Sequence, residues 1–99
     1  MYQMDQLLSL LTTEKARELV FRAGRPPLII LDREQHPLQG PPITDDDLVF
    51  LLRSLATSRE MRNLRENGTV QFVYTAAGRA PFVVRARIED EQNVVFSVS

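Results

Sequence analysis

Cysteine and tryptophan are absent from this chain, histidine and lysine each occur once, and glycine occurs four times. Without cysteine there is no disulfide framework, iron–sulfur cluster or thiolate zinc site, and a lone His36 leaves no histidine-based metal cluster. The four glycines are scattered, and none begins the GxxxxGK(S/T) loop that cradles phosphates, so ATP hydrolysis by these residues alone is not expected. No apolar run approaches the roughly 20 residues of a membrane-spanning helix. The segment Met1-Tyr2-Gln3-Met4-Asp5 lacks the basic cluster and apolar stretch of a secretory signal. An excess of one charge sign is missing too. Twelve basic residues stand against thirteen acidic ones, for a net charge of −1. The positive field that nonspecific nucleic-acid binding needs is therefore absent. The expectation is a nonredox, cytoplasmic domain without membrane insertion, cofactor or nucleic-acid partner.

What is present suits one small packed unit. With 99 residues, 43% of them apolar and 25% charged, the chain has the length and balance of a single globular domain over residues 1–99. Every cation except Lys15 is an arginine, the side chain suited to planar, bidentate contacts with carboxylates and phosphates.

Periodicity lays out the elements. Met4, Leu7, Leu8 and Leu11 recur at i, i+3, i+4 and i+7, which predicts a helix ending near Arg17. Glu18 to Arg22 alternates as a first strand, and Gly24-Arg25-Pro26-Pro27 stops it. Leu28-Ile29-Ile30-Leu31 reads as a second strand. A polar loop over Asp32–Gln35 and a short extended piece, His36–Gln39, complete a hairpin. Gly40-Pro41-Pro42 is a stiff linker. Thr44 caps the next helix, with Asp45, Asp46 and Asp47 in its first turn and Leu48, Leu51, Leu52 and Leu55 on its inner face. Thr57-Ser58-Arg59-Glu60 has capping-box spacing and opens a further helix, which Asn67-Gly68 ends. The period then drops to 2. Val70, Phe72 and Tyr74 alternate, a loop follows at Ala76–Arg79, and Phe82 to Glu89 alternates again. A charged turn over Glu89–Asn93 leads to a last strand, Val94–Val98. Segregated helices and mostly antiparallel strands define the α+β class, with helices packed on one face of the sheet.

Few residues point to chemistry. Asp45-Asp46-Asp47 fits a solvated helix start better than a hard-metal site, and His36 has no companion Ser, Asp or Cys motif. No catalytic or metal-binding residue is assigned. Arg85 and Arg87 share one face of a strand and can grip a phosphate or an acidic partner, or pair with Glu89 instead. Arg22 and Arg25, around the end of the first strand, form a second candidate cluster.

The segment Ala16-Arg17-Glu18-Leu19-Val20-Phe21-Arg22-Ala23-Gly24-Arg25-Pro26-Pro27-Leu28-Ile29-Ile30-Leu31-Asp32 resembles the amino-terminal signature of PilT-like pilus retraction ATPases. These belong to the type II and type IV secretion ATPase family, and the signature reads roughly A-S-D-L-H-L-S-A-G-x-P-P-x-x-R-x-D-G. Leu19, Ala23-Gly24 and Pro26-Pro27 carry the closest agreement. Pro41-Pro42-Ile43 before a helix, a second helix, and a strand pair ending in Phe82-Val83-Val84-Arg85-Ala86 follow in the family's order. This chain has Arg17-Glu18-Leu19-Val20 at the family's S-D-L-H, Ile30 at its arginine, and Arg33 at its final glycine. The family's F-R-V-N strand fits either Phe82-Val83-Val84-Arg85 or Val84-Arg85-Ala86-Arg87, two registers that keep the same face outward. The resemblance implies a PAS-like amino-terminal domain that lacks the family's nucleotide-binding domain. Such a domain is noncatalytic and docks on an ATPase domain of its own chain or a neighbouring subunit, and in some members it lends arginines toward the nucleotide. It would serve twitching motility or type II secretion, with other machinery proteins as further partners and a peripheral place at the inner membrane. The alternative is a stand-alone PAS-like small-molecule sensor or adaptor.

Overall fold

A computed structural model of the chain describes residues 2–76, 78, 80–90 and 93–99. Helix α1 covers Met4–Thr13 and buries Met4, Leu7, Leu8 and Leu11, the stripe that the periodicity picks out. It stops at Thr13 rather than near Arg17. Lys15 takes a left-handed conformation at φ +53°, and the Arg17 N–H donates to the Ile30 carbonyl at 2.8 Å. A sheet carbonyl thus captures the amide that a longer helix would use.

Strands β1 (Glu18–Arg22), β2 (Leu28–Leu31) and β3 (Glu34–Pro37) follow. β3 begins earlier than the expected piece at His36–Gln39. Asp32 accepts φ +52°, a conformation its short polar side chain tolerates. The hairpin therefore closes between Leu31 and Glu34, which face each other across the ladder. Helix α2 spans Asp45–Arg53 and α3 spans Ser58–Asn67. Thr44 Oγ1 accepts the Asp47 N–H at 3.1 Å, capping α2. α2 ends before Leu55 because the Leu55 amide reaches back only three residues, to Leu52, while the Ser54 amide is already shared between the Phe50 and Leu51 carbonyls. Leu55 is buried all the same. The capping box of α3 is complete: Thr57 Oγ1 accepts the Glu60 N–H at 3.2 Å, and Glu60 Oε1 accepts the Thr57 N–H at 2.8 Å. Gly68, at φ +79°, closes the helix.

Strands β4 (Thr69–Tyr74), β5 (Phe82–Glu89) and β6 (Asn93–Val98) complete a six-stranded sheet in the order β3-β2-β1-β6-β5-β4. Every pairing is antiparallel. The expected loop at Ala76–Arg79 and turn at Glu89–Asn93 include Ala77, Arg79, Glu91 and Gln92, which lie outside the described residues. The sheet consists of two three-stranded meanders, joined where β1 pairs with β6. Leu19, Phe21, Val84, Phe96 and Val98 on one sheet face form a single cluster with Leu8, Leu48, Leu51, Leu52 and Leu64 from the helices. At the junction the Phe21 and Phe96 rings stack with centroids 4.4 Å apart.

The amino-terminal segment is tied to the linker before α2. The Tyr2 hydroxyl donates to the Pro41 carbonyl at 2.6 Å, and a Cβ on Gly40 would lie 2.5 Å from that hydroxyl oxygen. Only glycine lets tyrosine sit there. No helix among the described residues is long and apolar enough to cross a membrane.

Candidate functional site

Opposed residues of an antiparallel pair share a face, so the registers define the side of the sheet turned away from the helices. Arg22 of β1 faces Val95 of β6, and Val95 in turn faces Arg87 of β5. Val20 faces Ser97, and Ser97 faces Arg85. With Glu18 and Ile30 these rows line a shallow trough of about 500 Å³.

Three of the four arginines singled out in the sequence meet here. Arg22 Nη1 donates to Glu89 Oε2 at 2.6 Å, while Arg87 donates to Glu89 Oε1 through Nη2 at 2.6 Å and Nε at 3.1 Å. One carboxylate is thus held between two guanidiniums. Arg85 donates through Nε to Gln71 Oε1 at 3.2 Å, not to Glu89. Arg25 stands apart in the β1–β2 turn, where its backbone carbonyl accepts the Ile43 N–H at 3.0 Å. The two expected clusters therefore become one, made of Arg22, Arg85 and Arg87.

Val95 is an unforeseen part of this face. It points away from the helices yet is only 6% exposed. Its cross-strand neighbours are Arg22 and Arg87, and long arginine stems cover apolar surface while their heads stay in water. The pair held by Glu89 therefore also roofs a valine.

The hydrogen bond from Arg22, followed by those from Arg87, holds the Glu89 carboxyl below its usual range. A lowered folded-state pKa contributes stability above the unfolded value, and that stability is lost as pH falls through the folded value. Acid denaturation of the chain should therefore steepen below about pH 4.3, the ordinary glutamate range, and E89Q should flatten this dependence. The effect is modest, because the three side chains remain 28% to 60% exposed and water screens them. Urea titrations at several pH values measure it, and equal acid slopes in both proteins would remove the clamp from the stability of the fold.

The remaining polar residues assemble less. Asp45, Asp46 and Asp47 occupy the first turn of α2, and the described residues contain no group of three His, Cys, Asp or Glu placed to hold a metal. His36 Nε2 lies 3.1 Å from Glu34 Oε2 on exposed β3. Apolar side chains fill the space between sheet and helices, and no polar residue is buried among those described.

Solved structures of ATPases share this architecture. The pilus retraction motor PilT with bound ADP superposes at a TM-score of 0.83 over 99% of this chain, with 21% identity. The ATPase DotB of Legionella pneumophila gives 0.77 over 96% at 15% identity, and DotB of Yersinia pseudotuberculosis gives 0.67 over 96% at 13% identity. This chain spans 28% of the length of each of those chains. No protein-family profile matches the chain, and no curated protein does. The structural matches fit an amino-terminal domain of the pilus retraction and secretion ATPases, as the resemblance implied. At these identities it is the fold that is shared.

Proposed function

We propose that this chain is a noncatalytic interaction module of a type IV pilus or secretion motor ATPase, docking through its helix-free sheet face onto an ATPase domain of the same or a neighbouring subunit. The observation behind this reading is the bare sheet face itself, on which Arg22, Arg85 and Arg87 converge, two of them paired with Glu89, beside Glu18 on the same trough. A sheet with one face packed on helices leaves the other free for a partner. Arg85 has only a neutral amide as its polar partner among the described residues, so its charge is available to a carboxylate or phosphate across an interface. Arg22 and Arg87 are held in place by Glu89, which lowers the cost of ordering them on binding. In this reading the module works in the cytoplasm, reaches the inner membrane only through the motor complex, and carries no catalytic residue.

Titrating the chain against the motor's ATPase domain tests the proposal. R85A/R87A should weaken binding by about tenfold or more, since truncating charges at an interface costs about 2 kcal/mol upward, while circular dichroism stays unchanged because both side chains are exposed. Unaltered affinity in the double variant would count against this surface.

A further inference from the structure

We propose that β4 is an open sheet edge through which two copies of this chain pair, forming one continuous sheet across a two-fold axis at Gln71. The two ends of the sheet differ. At the β3 end, the Leu38 N–H donates to the Pro27 carbonyl at 2.9 Å. With the register of this hairpin, that bond sets which residues face outward, namely Gln35 and Pro37. Proline has no N–H to offer, and the neighbouring Glu34 and His36 are exposed polar residues. An edge of this kind is guarded against pairing.

The β4 end carries none of these guards. The Ile88 N–H donates to the Gly68 carbonyl at 2.9 Å, so within the β4–β5 register Val70, Phe72 and Tyr74 bond inward to β5. Thr69, Gln71 and Val73 therefore turn their amides and carbonyls outward. The Val83–Ser99 pair, bonded in both directions at 2.8 and 2.9 Å, confirms this alternation from the other side of β5. The strand reads Thr-Val-Gln-Phe-Val-Tyr. It has no charge, proline or glycine and is rich in β-branched and aromatic residues, the composition of a strand that pairs readily.

The same features select a second copy as the occupant. Edge pairing is made by backbone hydrogen bonds with side-chain matching selecting the partner, and β4 carries no charge that would favour an oppositely charged strand over its own copy. A two-fold axis sets the central residue against its own image, which is unfavourable for a charge and favourable for a carboxamide that both donates and accepts. With the axis at Gln71, Thr69 lies opposite Val73 of the second copy, and Val70 opposite Phe72 of the second copy. The outward groups then form about six hydrogen bonds. Val73, 62% exposed in the single chain, gains a neighbour.

Analytical ultracentrifugation of the full chain from about 1 µM to about 1 mM should show a concentration-dependent dimer. Q71E should raise its dissociation constant about tenfold or more, because two carboxylates then oppose each other. Within one chain the introduced carboxylate would face Arg85, which already donates to the side chain at this position, so the melting curve should hold. A cross-link provides a readout independent of that variant. The chain has no cysteine, and a hydrogen-bonded antiparallel pair has Cα atoms about 5.5 Å apart, within the span of a disulfide. Q71C should therefore oxidise to a disulfide-linked dimer much faster than T13C, an exposed site at the end of α1. A monomer throughout the range, a dimer insensitive to Q71E, or cross-linking no faster at Gln71 than at Thr13 would overturn the proposal.

Discussion

Truncating Phe21 to alanine should remove about 3–5 kcal/mol of folding stability, the range for emptying a fully buried phenylalanine site. Phe21 is 0% exposed and Phe96 1% exposed. Their rings stack with an interplanar angle of 12°, a contact that adds to the area buried. The pair sits where β1 meets β6, the one ladder joining the two meanders. Loss of the ring therefore opens a cavity at the seam of the sheet. A domain of this length holds about 5–15 kcal/mol in total, and each kcal/mol shifts the midpoint by about 4–8 °C. F21A should thus melt at least about 12 °C lower, and F21L should lose less. A fall of under about 1 kcal/mol in urea denaturation, at the mild end for single substitutions, would mean that the two meanders are held together elsewhere.

How far the molecule can be read from its residues depends on the range of the interaction. The α1 stripe, the Thr44 cap, the Thr57–Glu60 box and the Gly68 stop are set by side chains a few positions apart, and all four appear as the spacing predicts. The end of α1 does not, because it is decided by Ile30, whose carbonyl takes the Arg17 amide. The start of β3 depends on Asp32 adopting a positive φ, a choice that pattern alone does not reveal. The same division holds at the site. Alternation places Arg85 and Arg87 outward on β5 and Arg22 on the outer face of β1. Only the β1–β6 pairing brings Arg22 to Glu89 across 67 residues of chain. Val95 and Phe96 are buried in succession, which no period of 2 produces. The break comes from the arginines flanking Val95, and those neighbours follow only from the strand order.

The second large effect is expected in α3, which buries only Leu64 completely. Met61 adds partial contact with the core, and most of the other positions are polar. Against this thin attachment the helix has strong ends, a full capping box and a left-handed glycine stop, so its shape is well specified while its anchorage is not. L64A should cost about 2–5 kcal/mol, but the loss should be uneven. With its anchor gone, α3 should open locally while β1 and β6 stay closed around Phe21 and Phe96, as regions with few buried contacts open below the global free energy. Hydrogen exchange distinguishes the two cases. Amides of α3 should exchange faster than those of β1 and β6 in L64A, and L64M should restore most of the protection because its volume is close to that of leucine. The Gly68 N–H, which donates to the Leu64 carbonyl at 2.8 Å, is the last bond before β4 and should lose protection with α3. Amides of Val70 and Phe72, bonded inward to β5, should keep theirs if β4 is held by the sheet rather than by the helix. Uniform loss of protection across the chain would instead make α3 part of the same cooperative unit as the core.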